Sequence, residues 1–192
     1  MQHRSRATLS LFVFVVTGVA VAARAGAATH SVRDRDWQNG DYDLGDGRVA
    51  FVAGRHTELT EDRVCSVCLS IREVTFGDVD GDGAEEAIIL IDANLGGAGT
   101  SSEAYVFGLV DGKPALRARI EGGDRGDGGL QSISVVAGEL LVRRFELTSS
   151  DDACCPSRVL VERWRWRDGK LLKMPGAPRV RKRKPRPWSE RP

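Results

Sequence analysis

Phe76-Gly77-Asp78-Val79-Asp80-Gly81-Asp82-Gly83-Ala84-Glu85-Glu86, running straight into Ala87-Ile88-Ile89-Leu90-Ile91, sets four carboxylates at loop positions 1, 3, 5 and 9 and a glycine at position 6 ahead of an apolar run. Acid groups this close repel one another unless a cation sits between them, and the alternation aims Asp78, Asp80 and Asp82 at one point. The stretch reads as a calcium loop held between two strands. Its ligand set is Asp78, Asp80, Asp82 and Glu86, with the Ala84 carbonyl at position 7, and Ca2+ is the expected ion. An acidic turn whose glycines serve the backbone alone is the competing reading.

Outward from the loop, apolar and β-branched residues fall in runs too short for helices, separated by glycine-containing turns. Strands are expected at 36–44, 49–53, 69–76, 87–91, 104–110, 115–120, 131–136, 140–147, 159–167 and 170–174. Asp46-Gly47, Asp111-Gly112, Ala137-Gly138 and Asp168-Gly169 provide the glycine that a tight hairpin uses. The only helical expectation is a turn or two around Thr57 to Val64. The chain therefore reads as a mainly β, single-domain antiparallel meander with one calcium loop between strands. Trp164 and Trp166 share one face of their strand and Arg163, Arg165 and Arg167 the other. Trp37, Tyr42 and Phe51 are expected to share the core with that tryptophan face.

An Asp-x-Asp-x-Asp-Gly start also opens an EF-hand loop, but that loop joins two helices and needs a bidentate glutamate at position 12, where this chain has Ile89. With strand-like flanks, the segment from Phe76 to Ile89 instead resembles the FG-GAP and VCBS class of strand-loop-strand calcium repeats. That resemblance implies ion binding at the first, third, fifth and ninth positions, which are Asp78, Asp80, Asp82 and Glu86 here, with glutamate where the class usually has aspartate. It covers one loop and its two strands, with no second copy, so it implies a local motif and not a propeller. A looser similarity, over Val74 to Ile120, is to small exported bacterial proteins of the LppP/LprE lipoprotein kind, which implies no enzymatic activity. The lipobox cysteine of those lipoproteins is missing.

The ends of the chain differ from its middle. His3, Arg4 and Arg6 precede an uncharged run, Ala7 to Ala23, followed by small-residue cleavage sites around Ala25 and Ala27. Residues 1–27 read as a signal peptide, which places the protein outside the cytoplasm, secreted or periplasmic, with no membrane span after cleavage. Residues 28–174 form the β domain, with 18 Lys or Arg against 26 Asp or Glu, a balance of −8. Residues 175–192 carry 7 cations and 1 acid among prolines, a balance of +6, and read as a disordered basic tail. The tail offers contact with an anionic surface, and nucleic acid is not an expected partner for an exported chain.

Four cysteines, Cys65, Cys68, Cys154 and Cys155, are expected to be oxidised after export. A bridge between neighbours forces an awkward ring, which favours crossed pairing of the early pair with the late pair. Closing a loop of about 90 residues in this way would stabilise the fold by about 4 to 5 kcal/mol. A thioredoxin-type reading of Cys65-Ser66-Val67-Cys68 is disfavoured because the motif runs into a strand pattern, and a four-cysteine zinc site is disfavoured by the adjacency of Cys154 and Cys155.

Few residues invite catalysis. His30 and His56 are the histidines beyond the signal, and His56 sits in a polar stretch that reads as a solvated loop. Leu95 to Thr100 is glycine-rich but lacks the lysine of a phosphate loop, and Arg125-Gly126-Asp127 is a three-residue adhesion match of little weight. The expected function is a non-catalytic exported protein with an unknown protein or cell-surface partner and a structural calcium site. The alternative is an exported metal-dependent hydrolase that uses the acidic loop.

Overall fold

Ala87-Ile88-Ile89-Leu90-Ile91 is apolar at every position because the strand that carries it is covered on both faces. In the computed structural model, which describes residues 31–96, 100–124, 129–152, 155–176 and 179–182, all five are buried. Ala87, Ile89 and Ile91 point into one cluster with Trp37, Tyr42, Phe51, Tyr105 and Phe107. Ile88 and Leu90 point into another with Val106, Leu130, Ile133, Leu140 and Val142. Continuous hydrophobicity, where a one-sided strand would alternate, is the signature of a strand sandwiched between layers. Each buried side chain of this size contributes roughly 1.5 to 3 kcal/mol.

The central layer is a five-stranded antiparallel meander of β3 (Arg55–Leu59), β4 (Cys65–Gly77), β5 (Glu86–Asn94), β6 (Thr100–Val110) and β7 (Lys113–Asp124), in that order. One face is covered by a single 3-10 turn (Val32–Asp34) and by the hairpin of β1 (Gly40–Asp43) and β2 (Arg48–Phe51). The other is covered by a second sheet of β8 (Leu130–Val136), β9 (Glu139–Glu146), β10 (Arg158–Arg167) and β11 (Lys170–Lys173), with β12 (Arg179–Lys182) also paired to β10. Every strand pairing is antiparallel, and the described residues contain no α-helix.

The mainly β expectation therefore holds, and all ten expected strands have a counterpart. Asp111-Gly112, Ala137-Gly138 and Asp168-Gly169 each have positive φ at both residues, as a two-residue hairpin with matching twist requires. Trp37, Tyr42 and Phe51 do not share a core with the tryptophan face: they fill the cluster on one side of the central sheet, and Trp164 packs against the cluster on the other. Three further expectations need correction. The region from Thr57 towards Val64 is not helical: Thr57 to Leu59 belong to β3, and Thr57 lies opposite Cys68. This edge strand, Arg-His-Thr-Glu-Leu, is mostly exposed and carries no apolar alternation, so period gave no signal for it. His56 thereby moves from an expected loop into β3, where its Nδ1 lies 3.0 Å from the Ala50 carbonyl oxygen. At the other end, Arg179–Lys182 of the expected disordered tail pairs with Arg158 to Val161 of β10. Backbone pairing to an open strand edge needs no hydrophobic side chains, and composition reports only on those.

The last correction concerns the disulfides. Cys65 is bonded to Cys68 with the Cα atoms 6.0 Å apart, so the expected crossed pairing does not form. Three steps along a regular strand span about 10 Å. The distance closes because β4 bulges here: Leu59 lies opposite Cys65 and Glu58 opposite Val67, which leaves Ser66 as the extra residue. Cys155 is also disulfide-bonded, and Cys154 lies outside the described residues. So do the signal segment 1–27, the Arg125-Gly126-Asp127 match and residues 183–192 of the tail.

Candidate metal centre

The acidic loop connects β4 to β5, and the antiparallel register pairs Gly77 with Glu86 at its mouth. Short side chains that accept from nearby backbone N–H groups fold the loop on itself. Asp78 Oδ1 accepts from Gly81 N at 2.7 Å, and its Oδ2 accepts from Gly83 N at 3.1 Å. Asp80 Oδ1 accepts from Asp82 N at 3.1 Å, and Asp82 Oδ1 from Ala84 N at 2.7 Å. Gly83, at loop position 6, has φ +91°, a conformation that side-chain-bearing residues rarely adopt.

This folding gathers carboxylates. Asp78, Asp80 and Glu86 each present an oxygen, and these oxygens lie within 4.8 Å of one another. Glu86 is only 3% exposed, and its Oε2 accepts from Val79 N at 2.9 Å. Burial raises its pKa above the usual carboxylate value, the Val79 N–H opposes the rise, and the charges of Asp80, Asp82 and Asp78 add to it. Asp82, an expected ligand, stands outside the group of three, exposed, with its carboxylate turned to the Ala84 N–H. Its charge still acts on Glu86. For Ala84, the structure shows the amide bound within the loop.

Oxygen-only donors, all hard carboxylates, fit a hard divalent cation and exclude the sulfur and imidazole sets that zinc or copper prefer. A carboxylate pushed towards its neutral form by burial, and further by like charges, is the group whose ionised state an added cation would stabilise most. The donor set therefore fits a metal ion.

Two cationic residues that no sequence pattern connects with the loop lean on it. Arg117 of β7 donates from Nη2 to Asp80 Oδ2 at 3.2 Å. Arg33, in the 3-10 turn, grips Glu85 through Nε at 2.5 Å and Nη2 at 2.7 Å. Both lie more than 30 residues from their partners, beyond the reach of a local motif.

On the side of the second sheet, a groove of about 540 Å³ separates the loop from β8, β9 and β10, lined by Asp78, Asp80, Val135, Glu139, Arg165 and Trp166 among others. The sheets meet just beside it: a Cβ placed on Gly77 would stand 2.6 Å from Val135 Cγ1. The cysteines expected to clamp this segment to the last hairpin do not do so, and the packing of the two sheets takes that role.

No family model, no curated protein and no solved structure matches the chain, so what the site does rests on its own geometry.

Proposed function

We propose that the loop is a structural calcium site in a non-catalytic, exported protein, secreted or periplasmic, that acts by binding a protein or cell-surface partner. The observation that carries the reading is the convergence of Asp78, Asp80 and Glu86 on one point, with Glu86 buried. Calcium takes 6 to 8 oxygens, so Asp82 and the Ala84 carbonyl complete the set by a small rearrangement of the exposed half of the loop. Bound there, the ion neutralises the carboxylates between β4 and β5 and ties the loop to the mouth of a buried strand. The resemblance to FG-GAP and VCBS loops and the pairing of cysteines as disulfides support the calcium and export parts of this reading.

The test is thermal unfolding with and without calcium. The chelator-treated protein should melt lower, and millimolar calcium should restore the loss. At tenfold over Kd the gain is only about 1.4 kcal/mol, roughly 3 to 6 °C for a chain of this size. Asp80→Asn should abolish the difference, with Glu86→Gln as a second variant. Equal melting temperatures in chelator and calcium for the wild type would refute the reading, and so would a hydrolytic activity that follows metal occupancy while stability stays flat.

A further inference from the structure

The outward face of the second sheet concentrates positive charge on a protein whose β domain is net negative. Strand alternation places Glu139, Leu141 and Arg143 of β9 on the same face as Val161, Arg163 and Arg165 of β10, and the register sets Arg143 opposite Val161 and Leu141 opposite Arg163. These residues line a groove of about 700 Å³, bordered on the β11 side by Lys173 and Met174. Its charged lining is four cations, Arg143, Arg163, Arg165 and Lys173, against two carboxylates, Glu139 and Glu162, a net of +2.

The pairing inside the groove leaves donors to spare. Glu139 Oε2 accepts from Arg163 Nε at 2.7 Å and Nη2 at 2.5 Å, while its Oε1 accepts from Arg165 Nε. One buried carboxylate thus fixes two guanidinium groups, each of which has five N–H donors. Both arginine side chains remain substantially exposed, 57% and 43%. Arg143 has no ion pair among the described residues, and it makes a long contact from Nη1 to Ser134 Oγ at 3.3 Å. Lys173 is matched by Glu162, which its Nζ reaches at 2.6 Å. The surplus charge therefore sits on the three arginines, over a floor of Leu141 and Val161.

We propose that this groove binds a small polyanion, a ligand that presents two or more phosphate or sulfate groups to Arg143, Arg163 and Arg165. Planar guanidinium forks match oxyanions in a bidentate fashion, and Glu139 holds two of the forks in place before the ligand arrives. The volume suits a ligand of sugar or nucleotide size. A second anion also relieves the mutual repulsion of two guanidinium groups that share one carboxylate, with the unpaired Arg143 beside them. Glu139 and Arg165 also line the groove beside the acidic loop, so the anion site adjoins the metal loop but uses none of its carboxylates.

The purified full-length protein, titrated calorimetrically at low ionic strength, tests the proposal with sucrose octasulfate as the sulfate probe, glucose 1,6-bisphosphate as the phosphate probe and sucrose as the neutral control. At least one charged probe should bind, and which of them does so identifies the anion. Sucrose should not bind, and affinity should fall as salt is added. Arg143→Gln should weaken binding about tenfold, while Arg48→Gln, on β2 in the opposite layer, should leave it unchanged. Arg163→Gln, which leaves Glu139 paired to Arg165, should show the same loss and serves if the first variant folds poorly. The proposal is overturned if neither charged probe binds, if sucrose binds as well as its sulfated form, or if the groove variants bind like Arg48→Gln, which would move the binding to another basic surface such as the tail.

Discussion

Arg117 on β7 reaches across to the acidic loop and sets its Nη2 3.2 Å from Asp80 Oδ2, so a guanidinium occupies the flank of the same carboxylate that the metal would use. The Asp80 side chain is 8% exposed, and at that burial the contact is more than a surface ion pair. Arg117 stabilises the loop without metal and opposes the metal by like charge.

Arg117→Gln should therefore act in two directions. A unit positive charge about 6 Å from a divalent ion costs on the order of 1.4 kcal/mol even in a medium of water-like dielectric. Calcium affinity should rise about tenfold, while the metal-free protein should melt lower because the carboxylates lose a partner. Calcium titration of the two proteins checks the first effect, and melting in chelator checks the second. Unchanged affinity would show that Arg117 does not sense the ion.

Gly77 and Val135 mark where the central sheet and the second sheet touch. A methyl group on Gly77 would overlap both the Val135 Cβ, at 2.8 Å, and its Cγ1, at 2.6 Å. Gly77→Ala should cost about 1 to 3 kcal/mol, a fall in Tm of roughly 3 to 10 °C. The double variant with Val135→Ala should be less destabilised than the sum of the single ones, by about 1 kcal/mol or more. Strict additivity in the cycle would mean that the two sheets do not meet there.

Cys65 and Cys68 close a loop of four residues, so their bond constrains the unfolded chain much less than a long crossed bridge would. The chain-entropy relation gives about 2 kcal/mol for such a loop. Replacing both by serine should lower Tm by roughly 4 to 8 °C. Peptide mapping without reduction should find both cysteines within the single tryptic peptide from Val64 to Arg72, carrying an internal bond. A peptide that links Cys65 or Cys68 to the segment containing Cys154 and Cys155 would contradict this.

Asp151 organises the turn between β9 and β10. Its Oδ2 accepts from Ser157 N at 3.0 Å and from Thr148 N at 2.8 Å, and also from the Ser157 hydroxyl. These bonds favour the ionised form, led by the Ser157 N–H and then the Thr148 N–H, and hold its pKa at about 2 against an ordinary value of 3.8. A depressed pKa contributes stability that is present above pH 3.8 and is lost as pH falls through about 2. Wild type should therefore exceed Asp151→Asn in stability at pH 6, and the gap should shrink between pH 4 and pH 2. A gap that stayed constant across that range would show that the contribution does not depend on the charge.

The sequence announced the strands of the fold where hydrophobic pattern and turn chemistry agreed. Ala87 to Ile91 declared a strand, though its cover on both faces emerged only with the fold, and Asp111-Gly112, Ala137-Gly138 and Asp168-Gly169 declared hairpins, because each signal is local and physically specific. What pattern could not show was pairing without side-chain burial. β3 and β12 are polar strands that exist because a neighbouring edge accepts their hydrogen bonds. Nor could spacing show a bulge, and the bulge at Ser66 is what lets Cys65 meet Cys68. At the candidate site, Asp78, Asp80 and Glu86 were legible as a set because one short loop carries them, and Asp82 belongs to the same spacing but turns to Ala84. Arg117, Arg33 and the Glu139 cluster come from distant strands, so only the fold brings them to their partners.

The most direct measurement is a calorimetric calcium titration of the chelator-treated protein. One ion should bind per chain, with a Kd of roughly 0.1 to 1 mM, and both Asp80→Asn and Glu86→Gln should abolish the heat while leaving the far-ultraviolet β signal intact. No binding at 10 mM calcium (about ten times the weakest Kd expected), or binding that survives both substitutions, would contradict the claim that these carboxylates form a calcium site.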